Sequence, residues 1–220
     1  ILRDAVGDTK LYYLGMSYGT FIGEQYAEFF PDNVGRVVLD GVMNPTLGMG
    51  GLVWAQSEGF EVAIRRYMEY CLGTSTTCPF TGSVDEALGQ LSDLFWAAED
   101  APYPTGDPAR PLTQSMLFQA LILPLYGEAN WPLLTNALAP LVSSGDGSQL
   151  LVLNDLGTGR EADGTYPDNS SEANWAVNCA DYPPEDPRVW KHMANALDRR
   201  GGTFGSYMAS GSDMCEGWAY

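Results

Sequence analysis

The sequence predicts an α/β fold in which a short strand–helix–strand unit is followed by a long, mostly helical segment. Residues 10–39 carry an apolar run, a helical pattern and a second apolar run, the order that a pair of parallel strands requires. Residues 46–214 contain little strand signal. With 220 residues, 45% of them hydrophobic, the chain is long enough to bury a sizeable core.

The first strand leads directly into the pentapeptide Gly15-Met16-Ser17-Tyr18-Gly19. Before it, Lys10–Leu14 is the apolar and aromatic run expected of a buried parallel strand. The pentapeptide fits the nucleophile elbow, G-x-S-x-G, in which a serine lies on a strained turn between a strand and a helix. Its two glycines are expected for steric reasons, because a side chain at either would collide as the turn tightens. A chain with 25 Gly can match this motif by chance, so the flanking elements decide its meaning.

The elements after the pentapeptide favour the elbow. Residues 18–30 place apolar side chains at helical spacing, and Pro31-Asp32-Asn33 ends that helix. Val34–Leu39 is a second strand. We therefore predict that Ser17 is a catalytic nucleophile and that the backbone N–H of Tyr18 donates to an oxyanion. The alternative is a serine in an ordinary glycine-rich turn.

The same residues resemble a known family. Leu14–Thr20 and Tyr26–Val42 are similar to the secreted tripeptidyl aminopeptidases, which are α/β-hydrolase serine peptidases related to proline iminopeptidases. The similarity is dense over residues 9–45 and weaker at 175–181 and 215–218. The resemblance implies a partial α/β-hydrolase core, made of the elbow strand, a helix and the next strand, with a large helical cap. It also implies release of short peptides, such as tripeptides, from free N-termini through an acyl-serine intermediate.

The resemblance also sets the expected domains and the expected missing parts. We predict a partial catalytic core at 1–45, a helical cap or lid at 46–214, and a return toward the core at 215–220. The family places a second oxyanion donor before the elbow, and the triad acid and histidine after the cap. We therefore expect an internal fragment, inactive alone, whose partners are peptide substrates and complementary segments of the same enzyme.

Two residues of this chain are alternative triad members. His192 is the only histidine, but it lies in an apparent cap helix with polar surroundings, whereas the family base lies on a loop near the chain end. Asp40 follows the second strand, where some α/β-hydrolases place the acid, but the family uses a later strand. The sequence disfavours both roles.

Other functions remain open at this point. An esterase, lipase or lactonase of the same fold is one alternative, because a fold does not fix the substrate. A non-catalytic module that retains the elbow as scaffold is another.

Composition excludes several classes of partner. The net charge is −17, from 28 acidic and 11 basic residues, which argues against binding to nucleic acid or anionic membranes. No apolar run approaches the roughly 20 residues of a membrane span. The cysteine spacings and the single histidine do not suit a metal site, and we predict no cofactor.

The four cysteines predict two disulfides and therefore an oxidising, extracellular location. Cys71 and Cys78 flank a polar loop at the end of a long helix, where a local bridge closes easily. Cys179 and Cys215 could pair across the end of the cap. Asn169 begins an Asn-Ser-Ser glycosylation sequon, which supports secretion only in a eukaryotic source.

The cap pattern predicts helices separated by polar loops at 100–111 and 157–170. These helices are expected at 52–71, 83–98 (opened by a capping box at Ser83), 112–126, 131–142, 149–156, 172–180 and 188–199. Several aromatic residues are candidates for lining a substrate pocket, although core packing is the commoner role: Trp54, Tyr126, Trp131 and Trp175. Glu172 and Asp181 could bind a substrate ammonium, but ordinary surface positions are commoner.

Overall fold

The computed structural model describes residues 1–182, 186–200, 202–210 and 215. The chain divides into two compact units, Ile1–Gly48 and Met49–Tyr220. The first unit is α/β and the second is helical, so the predicted fold class is confirmed. The predicted return toward the core at 215–220 lies outside the described residues, except for Cys215.

The first unit is a βαβ arrangement. After a short helix α1 (Leu2–Ala5) come strand β1 (Leu11–Met16), helix α2 (Tyr18–Phe29) and strand β2 (Val34–Asp40). The two strands are parallel, with Gly15 opposite Leu39 and Met16 opposite Asp40. Parallel pairing requires the connection to cross the sheet, and α2 provides that crossover.

The strands are apolar on both faces, as in a sheet covered from both sides. On the side of α2, Leu11 and Tyr13 are half-buried and Gly15 is buried. The alternate residues Tyr12, Leu14 and Met16 are exposed. In β2, Val38 is exposed as well. The second apolar face is therefore not covered by the residues of the first unit.

The second unit is built from eight described helices around one main core. They are α3 (Met49–Thr74), α4 (Val84–Asp100), α5 (Gln114–Leu125), α6 (Trp131–Ser144), α7 (Ser148–Thr158), α8 (Ser170–Asp181), α9 (Pro187–Arg200) and α10 (Gly205–Ser210). Leucines of α5, α6 and α7 form the centre of the core, together with Ile64, Tyr67 and Phe95. A smaller cluster joins Val53 of α3 to Trp190, Met193 and Leu197 of α9.

Helix boundaries follow local signals closely. The capping box at Ser83 is confirmed, since its hydroxyl accepts from the N–H of Glu86 while the Glu86 carboxylate accepts from the N–H of Ser83. Helix α5 begins two residues later than predicted. Leu112 is held instead in an antiparallel bridge to Tyr103, with N···O distances of 3.0 and 2.8 Å, and Thr113 then caps the helix.

Both disulfides are present in the structure. Cys71–Cys78 ties the end of α3 to the loop before α4, and Cys179–Cys215 connects α8 to a residue 36 positions later. Among the described residues, no helix combines the length and the apolar character needed to cross a bilayer.

Candidate active site

Ser17 has the most unusual backbone of the first unit. It joins the last residue of β1 to the first residue of α2, with φ of 50° and ψ of −119°. Within the described part of the chain, it is the only residue other than glycine with positive φ. This conformation costs an L-residue about 1–3 kcal/mol and is characteristic of functional sites. The serine side chain lies at an exposed position.

Hydrogen bonds on both sides hold this turn. The Ser17 N–H donates to the carbonyl of Asp40 at 2.9 Å, which joins the turn to the end of β2. The Ser17 carbonyl accepts from the Thr20 N–H at 2.9 Å and from the Thr20 hydroxyl at 2.7 Å. The same hydroxyl accepts from the Met43 N–H at 3.0 Å, and Thr20 is fully buried. The conformation of Ser17 is thus fixed by β2, by α2 and by the loop after β2.

A side chain would be tolerated less well at Gly15 than at Gly19. A Cβ atom at Gly15 would lie 2.5 Å from the carbonyl oxygen of Gly19 and 2.7 Å from the ring of Tyr13. At Gly19, the nearest atom to an added Cβ is the Tyr13 hydroxyl at 3.3 Å. That hydroxyl donates to the Gly19 carbonyl at 2.7 Å. Gly15 therefore permits close contact between backbones, while Gly19 meets only the end of one side chain.

This strand–strained serine–helix geometry agrees with comparisons to known proteins. Residues 1–76 match the family described as the alpha/beta hydrolase fold. Serine protease Hip1 of Mycobacterium tuberculosis is 36% identical over 194 residues, which cover 85% of this chain and 36% of that protein. Residues 1–76 therefore belong to the α/β-hydrolase fold family.

Two further relatives differ in the reaction that their names imply. Carboxylesterase B of Mycobacterium tuberculosis is 35% identical over 196 residues, covering 87% of this chain and 37% of the relative. Tripeptidyl aminopeptidase of Streptomyces lividans is 28% identical over 205 residues, covering 90% of this chain and 36% of the relative. The predicted resemblance to the serine peptidases of this fold is thereby confirmed. The chain spans little more than a third of the length of these relatives.

The backbone N–H of Tyr18 is the predicted oxyanion donor. This residue directly follows Ser17 and is the first residue of α2. In nucleophile elbows the N–H of this residue points at the developing oxyanion. The positive end of the α2 dipole favours negative charge at the same place.

The two alternative triad residues are placed differently. Asp40 ends β2 opposite Met16, and its carbonyl accepts from Ser17, so its backbone role in the elbow is clear, while its side chain is exposed. His192 is an exposed residue of α9 in the helical unit. Its neighbours Trp190 and Met193 face the core instead.

The predicted pocket aromatics do not share one environment. Trp131 is buried in the main core, where it contacts the rings of Tyr67 and Tyr70. Trp54 lies under the guanidinium of Arg200, 4.9 Å from the ring centroid. The other two, Tyr126 and Trp175, are largely exposed. Trp131 is thus a core residue, which is the commoner role expected of these aromatic side chains.

The remaining predicted surface residues lie on or beside α8. Glu172 and Asp181 are exposed, near opposite ends of that helix. Asn169, the glycosylation candidate, is exposed and occupies the N-cap position of α8.

Sequence reasoning missed the residues that support the elbow. Thr20 binds both the turn and the loop after β2, and Tyr13 reaches from β1 to Gly19. The sequence offered only a weak signal for Thr20, namely a hydroxyl-bearing residue three positions after the serine. Its second partner, Met43, is 23 residues away and could not be inferred from local pattern.

Proposed function

We propose that this chain supplies the nucleophile of a serine hydrolase that releases short peptides from free N-termini through an acyl-serine intermediate. The observation that carries the proposal is the strained Ser17 between β1 and α2, held by Asp40 and Thr20. Ser17 attacks the scissile carbonyl, and the N–H of Tyr18 stabilises the oxyanion that forms. The relative named tripeptidyl aminopeptidase supports the peptide substrate class.

The proposed base and acid are not residues of this chain. A Ser17 hydroxyl needs a histidine within hydrogen-bonding reach to become a nucleophile. His192 belongs to a helix of the cap with cationic neighbours and is not our candidate. We propose instead that complementary segments of the same enzyme supply the histidine, the acid and the second oxyanion donor, and that the 220-residue chain alone is nearly inactive.

We further propose that residues 1–45 form the partial catalytic core and residues 46–214 a cap that limits substrate size, with 215–220 returning toward the core. The enzyme is proposed to act outside the cell. Its two disulfides support that location, because such bridges persist in oxidising compartments.

A fluorophosphonate probe on the complete enzyme tests the nucleophile. We expect covalent labelling that maps to Ser17 by peptide mass spectrometry and that disappears in Ser17→Ala. The matched control is Ser143→Ala, an exposed serine of α6, which should label normally. Labelling that survives in Ser17→Ala would refute Ser17 as the nucleophile, and no labelling of the wild type would favour the non-catalytic scaffold.

The substrate class needs a separate comparison. Tripeptide anilides with a free N-terminus should be turned over by the complete enzyme, whereas the same peptides with an acetylated N-terminus should not. Simple acyl esters provide the competing arm, because one relative is named a carboxylesterase. Turnover of the esters alone would replace the peptidase proposal with an esterase of the same fold.

A further inference from the structure

A cavity of about 400 Å³ in the helical unit brings two arginines together. Arg110 comes from the loop before α5, and Arg160 from the residues just after α7. Helix α5 contributes Gln119 and Met116 to the walls, and α10 contributes Tyr207. The volume is in the range of small-molecule sites.

The two arginines share a single carboxylate. Arg110 donates to both oxygens of Asp155, at 2.8 and 2.7 Å, in the fork geometry typical of strong arginine–carboxylate pairs. This pairing holds the pKa of Asp155 below its ordinary value. Arg160 lies 3.8 Å from the nearer Asp155 oxygen. Two arginines thus lie at one cavity in a chain whose net charge is −17, with Asp107 acting on Arg110 and Asp163 acting on Arg160 from nearby.

Arg160 is positioned by a turn that closes over it. The turn is held by the Gly164 N–H, which donates to the Glu161 carbonyl at 2.9 Å. Gly164 has φ of 87°, and a Cβ atom there would lie 2.8 Å from Nη2 of Arg160. Among the described residues, this guanidinium donates to the Glu161 carbonyl at 3.3 Å, lies 3.8 Å from Asp155 and interacts electrostatically with Asp163. An arginine carries five N–H donors, so Arg160 retains donors that a ligand could use.

We propose that this cavity binds an organic carboxylate, such as the C-terminus of a short peptide, with Arg160 as its main contact. Arg160 offers a planar pair of donors that matches a carboxylate, while Arg110 is committed to Asp155. Tyr166, Tyr207 and Met116 add apolar and aromatic surface beside the cations. That surface suits a ligand with a carbon skeleton better than an inorganic anion. The proposal concerns the cap and is independent of the role of Ser17.

Binding is tested on the full chain by isothermal titration at constant ionic strength. The probe is N-acetyl-dialanine with a free carboxylate, and its C-terminal amide is the uncharged control. The acetyl group keeps both peptides from satisfying the free N-terminus that the proposed Ser17 site requires. We expect the acid to bind with about millimolar affinity and the amide at least ten-fold more weakly. Equal binding of the two, or binding of neither, would overturn the proposal.

Variants assign the binding to this cavity. Arg160→Gln should weaken binding of the acid about ten-fold or more, and Arg160→Lys should retain part of it. Arg199→Gln, which removes one exposed cation from α9, is the matched control and should bind normally. Asp155→Asn should bind several-fold more tightly, because it releases Arg110. Unchanged affinity in Arg160→Gln would refute the assignment, as would tighter binding of inorganic phosphate than of the peptide acid.

If Arg160→Gln fails to fold, as judged by circular dichroism, Arg160→Lys and Asp155→Asn still decide the matter. A carboxylate site requires opposite changes in the two variants. A purely structural ion cluster predicts no gain in affinity when Asp155 is neutralised.

Discussion

The two glycines of the elbow give a matched pair of substitutions whose effects should differ. In Gly15→Ala, the new Cβ would lie 2.5 Å from the Gly19 carbonyl oxygen, about 0.8 Å short of an ordinary C···O contact of about 3.3 Å. The obstacle is backbone, so β1 and α2 must move apart, at a cost of about 3 kcal/mol. In Gly19→Ala, the nearest atom is the Tyr13 hydroxyl at 3.3 Å, which can shift. Alanine is also a better helix former than glycine by about 1 kcal/mol, so this variant should differ little from wild type.

Hydrogen exchange measured by mass spectrometry can separate these outcomes in the full chain. Exchange of the amides in residues 11–29 should rise about 100-fold in Gly15→Ala, since each 1.4 kcal/mol changes an opening equilibrium ten-fold. It should change less than about five-fold in Gly19→Ala. All six tryptophans follow residue 48, so their fluorescence is an internal control for the helical unit and should be unaffected by either variant. Equal exchange in the two variants would show that the close approach at Gly15 does not govern the stability of the elbow.

Two further substitutions test the supports around each unit. Thr20→Val keeps the shape of the side chain but removes the hydroxyl that bonds to Ser17 and Met43. Amide exchange at residues 41–48 should therefore rise by the equivalent of about 1–3 kcal/mol, whereas Thr20→Ser should behave as wild type. Similar protection of these amides in all three proteins would contradict the assignment. Burial raises the pKa of Glu61, whose carboxylate accepts from the Phe204 N–H at 2.8 Å. A raised folded-state pKa means that stability is present below the ordinary value and is lost as the pH rises through the folded value. Glu61→Gln keeps the acceptor, so urea unfolding followed by tryptophan fluorescence should show equal stability at pH 4 and greater stability than wild type at pH 7; a pH-independent difference would refute this reasoning.

The parts of the fold that the sequence predicted well are those set by neighbours in the chain. β1, α2 and β2 have local periodicity, and their breakers lie within a few residues of the observed ends. The capping box at Ser83 is equally local, because the Ser83 hydroxyl and the Glu86 carboxylate each accept a hydrogen bond from the backbone N–H of the other residue. The cysteine pair at 71 and 78 required only a short polar loop.

The parts that it missed depend on distant partners. Helix α10 is six residues long and gives no periodic signal; it packs against α3, where Gly205 comes so close to Ser57 that an added Cβ would lie 3.0 Å from its hydroxyl. Arg110 and Asp155 are 45 residues apart, and nothing in either segment indicates the other. Aromatic residues were also ambiguous: Trp131 is core and Trp175 is exposed, although both follow helical spacing. Burial of such residues is decided by tertiary packing rather than by pattern.

The strain at Ser17 explains why the elbow must be understood as a property of the whole βαβ unit. The unfavourable backbone costs about 1–3 kcal/mol, and each hydrogen bond to it contributes a net of about 0.5–1.5 kcal/mol. Ser17 takes part in three such bonds: its N–H donates to the Asp40 carbonyl, and its carbonyl accepts from the N–H and the hydroxyl of Thr20. The opposing energies are of the same size, so the loss of any one support leaves the strain partly uncompensated. A serine with the correct flanking glycines but without the β2 carbonyl and the Thr20 hydroxyl would relax. The orientation of the proposed nucleophile therefore depends on the pairing of β1 with β2 as directly as on the pentapeptide itself.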